Sequence, residues 1–150
     1  MGEHNLATTQ RLRLSDVFIS ILPVLLAALF RFPGLASSPG WDGDEGYNLS
    51  IAWHLYHGQA RAFALSQSFV QHPILYYALS ALPVGLSGGD LWAARAVAAL
   101  AGSLTSGFIY LATTLSLSRR AAVLATLAFA GAHFIVLHNR LAYTYNLLLL

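Results

Sequence analysis

The sequence predicts an all-α integral membrane protein built as a transmembrane helix bundle. Hydrophobic residues make up 57% of the chain and charged residues only 9%, whereas soluble domains are about 45–50% apolar and about 25% charged. The mean hydropathy is +0.60. Several apolar runs also approach the roughly 20 residues that a helix needs to cross a bilayer. An ordinary soluble domain is therefore excluded.

Composition also excludes some classes of function. A net charge of +2 gives no reason to expect a nucleic-acid partner. The chain has no cysteine, so it has no disulfide, no thiolate nucleophile and no cysteine-based metal site.

The first predicted span follows a polar tail. Residues 1–14 carry Arg11 and Arg13 and are expected on the cytoplasmic side. The apolar run 17–32 follows as the first transmembrane helix. No small-residue cleavage site comes after this run, so we predict a retained anchor and no cleaved signal peptide.

Residues 33–90 are predicted to form an external loop that carries two short helices. Helical spacing over 47–57 indicates a helix lying on the membrane surface. The run 73–87 is apolar, but fifteen residues of helix reach only about 22 Å, less than the roughly 30 Å of hydrocarbon. We therefore favour a surface or re-entrant helix there, with a crossing helix as the alternative.

Two further spans are predicted at 91–117 and 121–138. If 73–87 does not cross, the intervening Arg119 and Arg120 lie in the cytoplasm with the N-terminal arginines, as the positive-inside tendency requires.

The end of the chain completes the predicted topology. Residues 139–146 form a second external loop, and 147–150 begin another apolar helix. We therefore expect this chain to be the front part of a longer protein.

An acidic cluster follows the first span and is the first candidate site. Asp42, Asp44 and Glu45 place three of the six acidic residues within four positions. In one interpretation Asp44 caps the following helix and Glu45 interacts with its dipole. In the other, a carboxylate acts as a general base that takes a proton from an attacking hydroxyl or amine. A divalent cation that prefers oxygen ligands is left open, although three carboxylates are few ligands for it.

Basic and imidazole side chains form the second candidate set. His72 precedes Pro73 at a predicted helix start, where backbone N–H groups favour phosphate; a purely structural histidine is the alternative. Four arginines are expected near the outer surface, where they either reach lipid headgroups or bind an anionic lipid phosphate. They are Arg31, Arg61, Arg95 and Arg140.

Five segments in order resemble the start of the bacterial GT-C glycosyltransferases, which include the aminoarabinose transferases of lipid A and the protein O-mannosyltransferases. The resemblance covers roughly residues 15–150, about the first third of a typical member. The segments are Leu29-Phe30-Arg31-Phe32, Asp44-Glu45, His72-Pro73-Ile74-Leu75-Tyr76-Tyr77, Ala94-Arg95 followed by a small-residue helix with Gly102, and the loop from Arg140 to Asn146.

The resemblance implies an enzyme of the bacterial inner membrane that moves a sugar from a polyprenyl-phosphate donor to an acceptor hydroxyl or amine at the external face. By this analogy Asp44 is the base or orients the acceptor, and Glu45 supports it.

The resemblance also assigns the binding residues. The leaving lipid phosphate would be stabilised by His72, Arg31, Arg95 and Arg140. Many members carry a second acidic residue in the second external loop, where this chain ends in Asn146. That difference favours a single-carboxylate scheme over a metal-bridged one.

A non-catalytic role is the alternative hypothesis. The chain would then be an accessory or relic transmembrane subunit that packs in a larger membrane complex through Gly102, Ser103, Ser106 and Gly107. We expect no turnover from these 150 residues alone.

Overall fold

The computed structural model describes residues 11–59 and 74–147, and this part of the chain is helical without strands. The predicted all-α membrane fold is confirmed. The helices are α1 Leu14–Ile19, α2 Ile21–Arg31, α3 Gly43–Tyr56, α4 Ile74–Leu86, α5 Leu91–Ser116, α6 Arg119–Gly131 and α7 His133–Asn139, followed by a 3-10 turn at Thr144–Leu147.

Helices α1 and α2 together form the first apolar rod. Leu14–Arg31 has 18 residues with a mean hydropathy of 1.9, enough to cross a membrane. The rod begins three residues before the predicted start at Val17 because Asp16 accepts a hydrogen bond from the Arg13 backbone N–H (2.9 Å) and so closes the first turn. Asp16 also pairs with Arg119 at the start of α6 (2.8 Å), which joins the two helices at this end of the bundle.

Helix α5 is the centre of the bundle. It has 26 residues and contains an 18-residue window with a mean hydropathy of 1.5, so it too is long and apolar enough to span. Small residues let its neighbours approach closely. A Cβ on Gly107 would lie 2.8 Å from Val24 of α2, and a Cβ on Gly102 would overlap the amide of Asn139.

Helices α6 and α7 are bent by 62° where the sequence predicts one helix over 121–138. Ala132 adopts an extended conformation (ψ 108°), so the α6 hydrogen bonds stop there, and its carbonyl accepts from Val136 N–H as α7 restarts. The bend turns the end of α7 toward the end of α2, where Asn139 meets Arg31 (3.0 Å).

Helices α3 and α4 pack on each other and on α5. Gly85 lies directly beneath the Tyr56 ring, where any Cβ would overlap it. Tyr77 of α4 donates a hydrogen bond to Asn48 of α3 (2.9 Å), and Tyr76 donates to the Ala94 carbonyl of α5 (3.0 Å). The buried core of the described chain lies between these three helices. Because α4 has only 13 residues, it extends about 20 Å.

Candidate active site at the start of helix α3

Asp42 is the residue that caps α3. Its side chain accepts a hydrogen bond from the Asp44 N–H (2.9 Å), so the helix begins at Gly43. This corrects the interpretation in which Asp44 is the cap of a helix beginning at residue 47. The Trp41 ring lies over Gly46, where a Cβ would come within 2.6 Å of it. The start of α3 is therefore fixed by a cap and by a ring that fits only against glycine.

Asp44 lies in the first turn of α3 with its side chain exposed. Within residues 11–59 and 74–147, no hydrogen bond or ion pair engages its carboxylate. Both oxygens are consequently available to accept a proton or a hydrogen bond from a substrate.

Glu45 points the other way, into the protein. It is fully buried and accepts hydrogen bonds from Arg95 Nε (2.8 Å) and Arg95 Nη2 (2.6 Å). Its Oε1 also accepts from the Ala142 backbone N–H (2.7 Å). Of these two adjacent residues at the helix start, Asp44 thus has an exposed carboxylate, whereas the Glu45 carboxylate is fully used in hydrogen bonds within the protein.

Arg95 uses every donor that it has. In addition to Glu45, Nη1 donates to the carbonyls of Leu35 and Pro39 (both 2.9 Å), and Nη2 donates to that of Gly40 (2.9 Å). Five N–H groups is the full complement of a guanidinium. Arg95 therefore fixes the 35–40 segment and Glu45 together, and it has no N–H to spare for a phosphate in this arrangement.

Arg31 is buried at the end of α2 and has no acidic partner in the described part of the chain. Its Nε donates to Asn139, and its Nη1 donates to the carbonyls of Ala27 (3.2 Å) and Ala130 (3.3 Å). The guanidinium carbon lies 5.4 Å from the centroid of the Phe129 ring. These contacts join α2, α6 and α7.

Arg140 is the most accessible of the three predicted arginines that the structure describes. Its Nη1 donates to the carbonyls of Phe30 (3.2 Å) and Arg31 (3.3 Å) at the end of α2, and its Nη2 donates to that of Ser38 (2.8 Å). Partial burial, with a contribution from the charge of Arg95, lowers the pKa of Arg140. Among residues 11–59 and 74–147 its Nε–H has no hydrogen-bond partner, which leaves this group for a ligand. The remaining predicted site residue, His72, lies outside the described residues.

Asparagines form a buried network that the sequence analysis did not single out as functional. Asn48 Nδ2 donates to the Ala142 carbonyl (2.8 Å), and Asn139 Nδ2 donates to Asn146 Oδ1 (3.0 Å). Asn146 in turn donates to the carbonyls of His138 (3.0 Å) and Leu141 (2.9 Å). The signal that could have found Asn48 is its position three residues after Glu45, on the same face of α3.

The acidic residues do not converge on a common point. Asp42 caps the helix, Asp44 faces outward and Glu45 is paired with Arg95. No group of three histidine or acidic side chains suited to a metal ion occurs among the residues that the structure describes.

The apolar helices, with this polar site at one end of the bundle, define a membrane protein. The family model for dolichyl-phosphate-mannose-protein mannosyltransferases matches residues 71–150, more than half of the chain. The chain therefore belongs to this family, and the predicted resemblance is confirmed. No curated protein and no solved structure matches the chain. The match includes Arg95 and Arg140, whereas Asp44 and Glu45 precede it.

Proposed function

We propose that this chain forms part of a membrane glycosyltransferase that moves a sugar from a polyprenyl-phosphate donor to an acceptor hydroxyl or amine, with Asp44 as the general base. One observation carries the proposal: Asp44 is an exposed carboxylate without a partner in the described structure, held beside a carboxylate that is fully committed to the fold. Family membership supplies the class of reaction.

The reaction requires a base for the proton of the attacking group on one side of the sugar. On the other side it requires a cation for the negative charge of the leaving phosphate. As the acceptor oxygen or nitrogen attacks the anomeric carbon, Asp44 takes its proton, and the bond from that carbon to the phosphate oxygen breaks. The leaving lipid phosphate carries the negative charge. Arg140, whose Nε–H has no partner in the described part of the chain, is the described cation best able to stabilise this charge. From the sequence we assign the same role to His72.

Arg95, Glu45 and Arg31 have a different role in this proposal. Because their hydrogen bonds go to neighbouring parts of the chain, we infer that Arg95 and Glu45 position the loop that carries Asp44 and that Arg31 joins α2, α6 and α7. Arg140 and His72 then contact the phosphate. The reaction would take place at the external face of a bacterial inner membrane, with the N-terminus in the cytoplasm. The positive-inside tendency of the four arginines at positions 11, 13, 119 and 120 supports this orientation.

The test is the substitution Asp44→Asn in the full-length protein, with transfer of labelled sugar from a polyprenyl-phosphate donor to membrane acceptors as the measurement. General base catalysis is worth about 10²- to 10⁴-fold, so we expect the rate to fall by that factor. Because Asp44 is exposed and unpaired, the variant should fold as the wild type does. Asp90→Asn is the matched control, because Asp90 is another exposed carboxylate at a helix start without a side-chain cap bond. Undiminished transfer by Asp44→Asn would rule out the role of this residue.

A further inference from the structure

A cluster of aromatic rings lies beside the acidic start of α3. We call it the aromatic cluster; it consists of Phe134, His138, Tyr143 and Tyr145. The ring centroids of Tyr143 and Tyr145 are 5.0 Å apart, those of His138 and the two tyrosines 6.1–6.2 Å, and those of Phe134 and His138 4.3 Å. These separations are typical of interacting aromatic pairs.

The cluster is held in place by bonds to the rest of the site. Tyr145 and His138 approach through the hydroxyl and Nδ1 (3.3 Å). The His138 carbonyl accepts from Asn146 (3.0 Å). Tyr143 directly follows Ala142, whose N–H and carbonyl are both bonded to α3 side chains. The backbone that carries Tyr143 and Tyr145 is bonded at Ala142 to α3 and at Asn146 to His138. The two rings therefore have a fixed position relative to α3.

The rings leave an accessible apolar surface. The side chain of Tyr145 is 42% exposed and that of Phe134 is 71% exposed. A cavity of about 280 Å³ with apolar walls opens beside them, lined by Phe134, Ile135, His138, Asn139 and Tyr145. A ligand that stacks on Tyr145 would therefore find space without a rearrangement of the loop.

Two carboxylates lie within electrostatic reach of the same rings. Burial, a hydrogen bond with Asp42 and the negative charges of Asp42 and Asp44 together raise the pKa of Tyr143 to about 12. Burial and the same two carboxylates also raise the pKa of Tyr145. The surface thus combines apolar ring faces with hydrogen-bond acceptors at their edge.

That combination matches the chemistry of a pyranose ring. A hexose has an apolar face of C–H groups, which packs against an aromatic face, and a rim of hydroxyl groups, which donate to carboxylates. Tyrosines that merely anchor the chain at the membrane surface would direct their hydroxyls to headgroups, whereas the Tyr145 hydroxyl is directed at His138.

We propose that Tyr143 and Tyr145 bind the sugar ring of the donor by stacking against its C–H face, next to Asp44. This assignment rests on the proposed function and deepens it, since it names the part of the donor that the 143–145 segment recognises. The segment would then distinguish a lipid phosphate that carries a hexose from one that does not.

The test compares binding of two probes, dolichyl phosphate mannose and dolichyl phosphate, to the purified full-length protein. Tyr145→Leu removes the ring and should weaken binding of the mannose lipid roughly two- to thirteenfold, the range expected for an aromatic stacking contact. Binding of dolichyl phosphate should be unchanged. Tyr145→Phe keeps the ring and should bind both lipids within about twofold of the wild type. Phe108→Leu, the loss of another exposed ring on α5, is the control and should leave both affinities as they are.

Each other outcome has a definite meaning. An equal loss for both lipids would show that Tyr145 supports the membrane or the fold, and would overturn the sugar assignment. Retained discrimination between the lipids by Tyr145→Leu would overturn it as well, while leaving the proposed function intact. A wild-type protein that binds neither lipid would refute the proposed function itself.

Discussion

Breaking the Glu45–Arg95 ion pair is the sharpest test of how the site is built. Glu45→Gln keeps the shape of the side chain and an oxygen for the Ala142 N–H, but it removes the charge opposite Arg95, which is only 1% exposed. Removal of one partner from a buried pair typically costs about 3–5 kcal/mol. Arg95 would keep its three bonds to backbone carbonyls. We therefore expect Glu45→Gln to lower the free energy of unfolding by about 3 kcal/mol, the lower end of that range.

Substitution of the other partner, Arg95, should lower the free energy of unfolding by at least as much. Arg95→Met leaves the Glu45 carboxylate buried with one remaining donor, the Ala142 N–H. It also leaves the carbonyls of Leu35, Pro39 and Gly40 without the guanidinium, and an unsatisfied buried acceptor costs about 1–3 kcal/mol. We expect a loss of about 4 kcal/mol.

The double variant separates the ion pair from the remaining contacts. Glu45→Gln combined with Arg95→Met leaves no uncompensated charge, so its cost should fall short of the sum of the single costs by about 2 kcal/mol or more.

The assay is the free energy of unfolding of the purified full-length protein in detergent micelles under reversible denaturation. Asp90→Asn serves as the surface control and should change this free energy by less than about 0.5 kcal/mol. If the two single costs add within about 0.5 kcal/mol, the side chains do not act as a pair and our account of the site is wrong.

Three further predictions concern packing, ionisation and topology. Gly102→Ala should destabilise the protein by about 1–3 kcal/mol because the new Cβ would overlap the Asn139 side chain of α7. Gly131→Ala should be tolerated because nothing lies within 4 Å of its Cβ position. Thermal unfolding of both variants checks this prediction. The pKa of Tyr143 is about 12, above its ordinary value, so the folded chain holds this proton more tightly than the unfolded chain. Its stabilising effect is complete below about pH 10 and is lost toward pH 12, and Tyr143→Phe should therefore flatten the decline in melting temperature over that interval. In this cysteine-free chain, a membrane-impermeant maleimide should label Ser37→Cys on intact cells and Leu117→Cys only after permeabilisation; the opposite pattern would invert the proposed topology.

The sequence was sufficient for the helical membrane fold because hydropathy alone predicts where apolar helices form. It was insufficient for the bend at Ala132. That break has no proline, and only Gly131 before it weakens the helix, so the pattern over 121–138 is equally typical of a straight helix. The bend depends on tertiary packing, since it brings Asn139 to Arg31, 108 positions away in the chain.

The different roles of Asp44 and Glu45 could not be predicted from the sequence either. Asp42 and Asp44 are both good capping residues, and the choice between them sets the phase of α3. With Asp42 as the cap, residues 44 and 45 fall on faces about 100° apart, one exposed and one buried. Moreover, the pairing of Glu45 with Arg95 spans 50 positions, which a single sequence cannot predict from local spacing. The same difficulty applies to Arg95: the sequence predicts a phosphate ligand there, but it does not show that the five N–H groups bond within the protein.

The position of Asp44 is set by the part of the chain that carries the family match. The acidic loop precedes residue 71, where the match begins, yet side chains on both sides connect the two regions. Glu45 bonds to Arg95 and Ala142, Asn48 bonds to Ala142, and Arg140 bonds to Ser38. Because the bonds made by Glu45 and Asn48 are buried, a change on α5 or in the 140–142 segment would displace Asp44 without touching it. A loss of transfer in an Arg95 variant is therefore explained by a displaced base, and it need not reflect a lost contact with phosphate.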